Sequence, residues 1–200
     1  MSTTTITTTW PASVLEMSPE MLDEAVIAGV DLDARDPRGR TAILLAAQAG
    51  RLDLVAALAA SGADIDLQDR TRLNPFLWGC ITGDVDLIQL TLDLGADLER
   101  TTRMGGVGIH PAAEKGHVAA TRLLATTAVN VDHTNNLGWT PLLEAVMLRD
   151  GGPDQQEIVR ILLEAGADPT LVDPYGESPL EHAERLGFTE IADLLRQSQA

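Results

Sequence analysis

"TAILLAAQAGRLDLVAALAASGAD", residues 41–64, contains two short apolar runs, each closed by a glycine, Gly50 and Gly62. Alanine and leucine fill both runs, and Leu54, Val55 and Leu58 stand on the spacing of one helix face. Thr41 offers an N-cap oxygen, while each glycine offers the left-handed conformation that commonly ends a helix. The stretch therefore predicts two short helices joined by a tight turn. Neither helix could bury its apolar face alone, so neighbours of the same kind are needed.

The chain supplies them. "NPFLWGCITGDVDLIQLTLDLGAD" (74–97), "VGIHPAAEKGHVAATRLLATTAVN" (107–130) and "TPLLEAV" with "EIVRILLEAGAD" (140–168) restate the pattern. Thr41, Asn74, Val107 and Thr140 lie 33 residues apart, whereas Thr140 to Ser178 is 38, so five residues are inserted within "LRDGGPDQQ" (148–156). That insertion is expected to extend the connection between two helices and is a secondary contact candidate. "SPLEHAERLGFTEIADLLRQ" (178–197) reads as a closing copy, and "SPEMLDEAVIAGVDLDARD" (18–36) as the second helix of an opening one. A fixed period of this size means stacked units sharing a continuous core.

Composition agrees. The 200 residues are 44% hydrophobic but only 3% aromatic, which favours an all-α chain packed through small side chains. Lys and Arg number 14 against 30 Asp and Glu, a net charge of -16, and so acidic a chain argues against nucleic-acid binding. The single cysteine, Cys80, excludes an internal disulfide framework and reads as a small buried thiol in a reducing compartment. "MSTTTITTTW" has neither the basic nor the apolar region of a signal peptide, and no stretch of about 18 apolar residues occurs. A cytoplasmic location, no membrane contact and a monomer are expected.

These landmarks resemble the ankyrin repeat family, whose period is about 33 and whose signature is T-P-L-H-x-A followed by a G-H turn and a G-A-D turn. The resemblance covers about residues 12–197, and "HTNNLGWTPLLEAVMLRDGGPDQQEIVRILLEAGADP" (133–169) is similar to the matching segment of short single-domain bacterial members. It implies an all-α solenoid of five to six helix–turn–helix units with short β-hairpin fingers between them. Units fall at approximately 12–35, 36–68, 69–101, 102–134, 135–172 and 173–197, with 1–11 a Thr-rich flexible leader and 198–200 a tail. It also implies a scaffold that binds another protein through a concave groove and its fingertips.

"GGVGIHPAAEKGH" (105–117) invites a different reading, a phosphate cradle at a helix start. No strand-like run precedes it, no Lys-Ser or Lys-Thr follows, and its surroundings are acidic. In register, Gly105 takes the turn position of Gly39, Gly138 and Gly176, Gly108 that of the signature proline, and His110 is the signature histidine. The resemblance implies that His110 ties neighbouring turns by hydrogen bonds. What remains is a possible notch at Gly106 and Gly108, with Trp78 and Trp139 at nearby positions.

Seven arginines, Arg35, Arg38, Arg40, Arg70, Arg72, Arg100 and Arg103, lie in or beside the first three fingers. Two roles are open to them: a basic stripe for an acidic partner, or neutralisation of the finger carboxylates in exposed pairs. Arg72 stands where a turn glycine is usual, which puts that finger's conformation in question. The expected partner-binding residues are Arg38, Arg40, Arg70, Trp78, Ile81, Arg103, Met104, Glu114, Asn136, Trp139 and Met147. The alternative is a small-molecule or peptide-carboxylate pocket at the Gly-rich fourth unit, built from Arg103, Glu114, Asn136 and Trp139. His110 with Glu114, and Asp132 with His133, have no nucleophile or third group at a supporting spacing, and no two histidines with a carboxylate show metal-ligand spacing. No catalytic residue, metal or cofactor is expected.

Overall fold

The computed structural model describes residues 10–199, so nine residues of the expected leader and Ala200 of the expected tail lie outside the described residues. Every regular element among the described residues is helical. A 3-10 turn at Ala12–Glu16 precedes eleven α-helices. These are α1 (Pro19–Ile27), α2 (Ala42–Gln48), α3 (Leu52–Ala60), α4 (Pro75–Thr82), α5 (Val85–Asp93) and α6 (Ile109–Glu114). They continue with α7 (Val118–Ala125), α8 (Pro141–Met147), α9 (Pro153–Glu164), α10 (Pro179–Leu186) and α11 (Thr189–Ser198). Helices this short are marginal in isolation and are held by packing.

The fold divides into two compact units, one of described residues up to Gly79 with Asp86–Asp97, the other of Cys80–Val85 with residues from Leu98 onward. In the first, the 3-10 turn packs on α2 and α1 packs on α3. Its core joins Val14, Leu22, Ile43, Leu54, Val55 and Leu58, with Trp10 and Trp78 packed against it. In the second, α6, α8 and α10 form one row and α7, α9 and α11 another. Ile109, Leu124, Leu142, Ile158, Leu162 and Leu195 are fully buried there. Each such aliphatic side chain contributes about 1.5–3 kcal/mol on burial.

Capping follows the sequence in most copies. The Thr140 and Ser178 hydroxyls accept from the N–H groups of Leu143 and Glu181, and Asn74 Oδ1 accepts from Leu77. Thr41 departs from expectation, because its hydroxyl is buried with no partner. The insertion does two things: it lengthens the connection between α8 and α9, and it extends α9 to twelve residues. Gly151 in that connection lies under the Phe188 ring, where a Cβ would come within 2.5 Å.

The expected β-hairpin fingers do not form strands among the described residues. Each is a turn in which one residue's N–H donates four residues on, Asp36 to Arg40 C=O, Asp69 to Leu73, Thr102 to Gly106, Asn135 to Trp139 and Asp173 to Glu177, while its C=O accepts from the residue three on, Gly39, Arg72, Gly105, Gly138 and Gly176. In four of the five the reason lies in one side chain, the finger at Thr102 lacking it. Oδ1 of Asp36 accepts from the N–H groups of Arg38 and Arg40, and Asp69, Asn135 and Asp173 do the same for residues two and four further on. Donors that a ladder would use are taken by this acceptor. Successive fingers touch through isolated bonds, Arg70 N–H to Arg38 C=O and Asn136 N–H to Met104 C=O. Arg72 does adopt the turn conformation of the glycines it replaces, at φ 63°.

A second set of carboxylates joins units. Asp33, Asp66 and Asp132 each accept from the backbone N–H of an aspartate in the next copy, Asp64, Asp97 and Asp168, at 2.9, 3.0 and 2.9 Å. Part of the acidic excess is therefore structural.

Candidate functional site

Four of the sequence-expected residues meet in the first unit. Arg38, Arg40, Arg70 and Trp78 line one shallow groove of about 560 Å³, together with Pro37, Gln48 and Leu73. Fingers carry the arginines and α4 carries Trp78, one face of which packs on the core. Arg40 forks onto Asp36 at 2.8 Å and reaches Gln48. Arg35 donates to the Gly39 and Gln68 carbonyls. Arg38 and Arg70 are exposed and form no salt bridge among the described residues. The seven arginines thus split: some neutralise or brace fingers, while two present free charge beside a tryptophan.

The second unit holds a cavity of about 370 Å³ at the Gly-rich copy, lined by Ile81, Met104, His110, Glu114, Leu137 and Glu144 among others. Of the expected residues, Ile81, Met104 and Glu114 line it. Asn136 is tied beside it, its Nδ2 donating to the Arg103 carbonyl at 3.4 Å. Arg103 contributes that backbone oxygen and points no side chain into the lining; Trp139 and Met147 are half-buried outside it. Met104, Leu137 and Leu148, all substantially exposed, form its apolar rim.

His110 behaves as the signature implies. Its Nε2 lies 3.2 Å from the Trp139 carbonyl, which makes Nε2 the protonated nitrogen, and its ring meets His133 edge-on at 5.6 Å. His133 in turn donates to the Gly105 carbonyl at 2.8 Å. Burial pulls the His110 pKa down to about 4, so the ring is neutral, and its Nδ1 is buried without a partner. The bare glycines have steric causes: a Cβ at Gly106 would sit 2.8 Å from His110, and one at Gly105 2.3 Å from the Asn136 amide. The space above them is filled by these two side chains, and the cavity opens alongside.

Glu144 is the residue that sequence reading missed. It is 7% exposed, its Oε1 accepts from Asn135 Nδ2 at 2.6 Å, and its Oε2 is buried with no partner. Burial first, then the charge of Glu114, push its pKa up to about 7, against the Asn135 hydrogen bond and Lys115. Its signal was present in the register: Leu45, Trp78, Pro111 and Glu144 are 33 apart, so a carboxylate replaces an apolar residue at a position packed against the finger.

Elsewhere, Asp173, Glu177 and His182 bring three ligand-type atoms together. Each already has a protein partner: His182 Nε2 donates to Asp173 at 3.0 Å, and the Arg185 guanidinium reaches both His182 and Glu177. His117 bridges to the Ile81 carbonyl at 3.0 Å over Gly83. Cys80 is buried, and burial pushes its thiol pKa up, away from reactivity. No described helix is long and apolar enough to cross a membrane.

Comparisons with known proteins agree with this repeat geometry. The family model for ankyrin repeats (3 copies) matches residues 12–102, 83–173 and 109–200. The putative ankyrin repeat protein YahD of Escherichia coli is 52% identical over 168 residues, 84% of each chain. An ankyrin repeat domain from Acinetobacter baumannii superposes with a TM-score of 0.89 at 39% identity, covering 94% of this chain and 96% of that one. EF0377, another ankyrin repeat protein, gives a TM-score of 0.85 at 32% identity over 93% and 95% of the two chains. Proteins of this fold serve in general as scaffolds for protein–protein interaction. With its period, helix pairs and finger turns matched over nearly the whole sequence, the chain belongs to the ankyrin repeat family.

Proposed function

We propose that the chain is a non-enzymatic protein-binding module whose first unit grips an acidic segment of its partner. The observation that carries this reading is the groove in which the unpaired guanidiniums of Arg38 and Arg70 flank Trp78. Arginine forks recognise carboxylates bidentately, and aromatic and arginine side chains are the residues on which interface energy concentrates. The steering role falls to Arg38, Arg40 and Arg70, and Trp78 is the anchor; in the second unit the proposed contact residues are Arg103, Met104, Asn136, Trp139 and Met147. A non-catalytic role is supported by the candidate base His110, whose basicity burial lowers far below neutral pH and whose Nε2 is engaged by a carbonyl. The partner, obtained by affinity purification from the native host and identified by mass spectrometry, should bind at least tenfold more weakly to Trp78→Ala and to an Arg38→Glu, Arg70→Glu double variant, with helical circular dichroism unchanged. Wild-type affinity in both variants removes the groove from the interface.

A second reading is favoured by the cavity of the second unit, at the Gly-rich fourth copy. Its apolar rim fits a small-molecule site, as do two of its lining residues, His110 and Glu144, each with a buried polar atom lacking a partner, and about 370 Å³ falls within the usual range of such sites, roughly 300–1,000 Å³.

A further inference from the structure

We propose that the cavity of the second unit receives a primary alkylammonium group, its head held by Glu144 and Glu114 and its carbon stem lying along Met104, Pro111 and Leu137. This rests on the pocket reading above and adds the chemistry of the occupant. The cavity's donors, Lys115 and the Asn135 amide, are engaged by Glu114 and Glu144, and the unpartnered atoms of the lining residues are acceptors. Asn135 serves one oxygen of Glu144, and once the group ionises, above pH about 7, Oε2 is a buried acceptor with no partner. His110, its hydrogen committed to the Trp139 carbonyl, turns a bare Nδ1 acceptor to its surroundings. A buried acceptor left unmade is costly, so the site is short of donors rather than of acceptors.

The charge count points the same way. Two carboxylates line the cavity with one ammonium, Lys115, whose Nζ lies 3.7 Å from Glu114. Above pH about 7 Glu144 is charged, and it forms no salt bridge among the described residues, while His110 stays neutral. A carboxylate ligand would face two like charges. A hydroxyl would satisfy one acceptor and bring no charge. An ammonium carries three donors, no acceptor and the missing positive charge. Ile81, Met104, Pro111, Leu137 and Leu148 supply the apolar surface for its stem.

The test uses the full chain labelled at its methionine methyl groups with carbon-13 and titrated by NMR at about pH 8, where Glu144 is ionised and the amine still protonated, with n-hexylamine, 1-hexanol and hexanoate. Met104 lines the cavity, while Met17 and Met21 lie in the other unit and serve as controls. Hexylamine should shift the Met104 methyl saturably and leave Met17 and Met21 unmoved, with 1-hexanol and hexanoate at least tenfold weaker. Glu144→Gln should weaken hexylamine at least tenfold; should that variant not fold, Leu137→Trp at the exposed rim should block the site instead. Nα-acetyl-L-lysinamide binding as tightly as hexylamine would assign the head group to a lysyl side chain, and weaker binding to a free amine. Equal or tighter saturation by 1-hexanol or hexanoate overturns the ammonium assignment while leaving the pocket. No shift of Met104 with any of the three removes the pocket reading as well.

Discussion

Two buried titratable groups of the second unit pull stability in opposite directions with pH. Glu144 ionises near 4.5 when unfolded but only near 7 when folded, so its contribution is full below 4.5 and is lost as pH rises toward 7. His110, lowered from 6.5 to about 4, does the reverse: the unfolded chain takes up a proton that the fold resists, and stability falls as pH drops from 6.5 toward 4. Substituting one of them should expose the other. The unfolding free energy of Glu144→Gln minus that of wild type should climb by on the order of 2–3 kcal/mol between pH 4.5 and 7 and then level off, as read from urea denaturation. A pH-independent difference would show that Glu144 is not held protonated by burial. At this scale the sequence was partly legible. Trp78, Ile81 and Glu114 were reachable from helix spacing, and Met104 as an apolar side chain in a finger; all four line a cavity or groove. Glu144 was missed because the landmarks used were caps and glycines, and a single acidic residue inside an apolar run draws attention only when the copies are compared position by position. Arg103 was expected to reach the pocket, but an exposed long side chain at a finger tip is not fixed by packing.

At the scale of the element, the helices were readable and the fingers were not. Alanine-rich runs, their N-terminal Thr, Ser or Asn and the glycine after each run mark the helices directly. Whether a short extended segment forms a ladder depends on where its N–H groups go, and here an Asx side chain captures them. Asp69, Asp36 and Asp173 do this as carboxylates and Asn135 as an amide, so Oδ1 rather than charge is what the turn requires. Asp69→Ala should therefore cost about 1–3 kcal/mol, because the N–H groups of Thr71 and Leu73 lose their acceptor in a partly buried turn. Asp69→Asn should cost less than about 0.5 kcal/mol. Thermal unfolding of the pair checks this, and equal losses in both would mean that charge, not the Asx acceptor, holds the finger. Asp33, Asp66 and Asp132 act in a similar way between copies, each carboxylate receiving a backbone N–H of the next one.

For the whole molecule, the period carries the fold. Four copies 33 residues apart, with one insertion, require like helices to lie beside like helices, and within the second unit first helices do stack in one row and second helices in another. The insertion is absorbed without disturbing that register, since α9 ends at the same place in its copy and Gly151 is seated against Phe188. Net charge told less than its size suggested. A value of -16 argues against a polyanionic partner, yet many of the acids are spent on backbone donors, and the free charge at the groove is positive. The central claim is that this groove is where a protein partner is gripped. Hydrogen–deuterium exchange on the full chain, with and without the purified partner, tests it most directly. Binding should slow exchange in residues 37–48 and 69–78, the segments carrying Arg38, Arg40, Arg70 and Trp78; protection confined to other copies, with these segments unchanged, would contradict it.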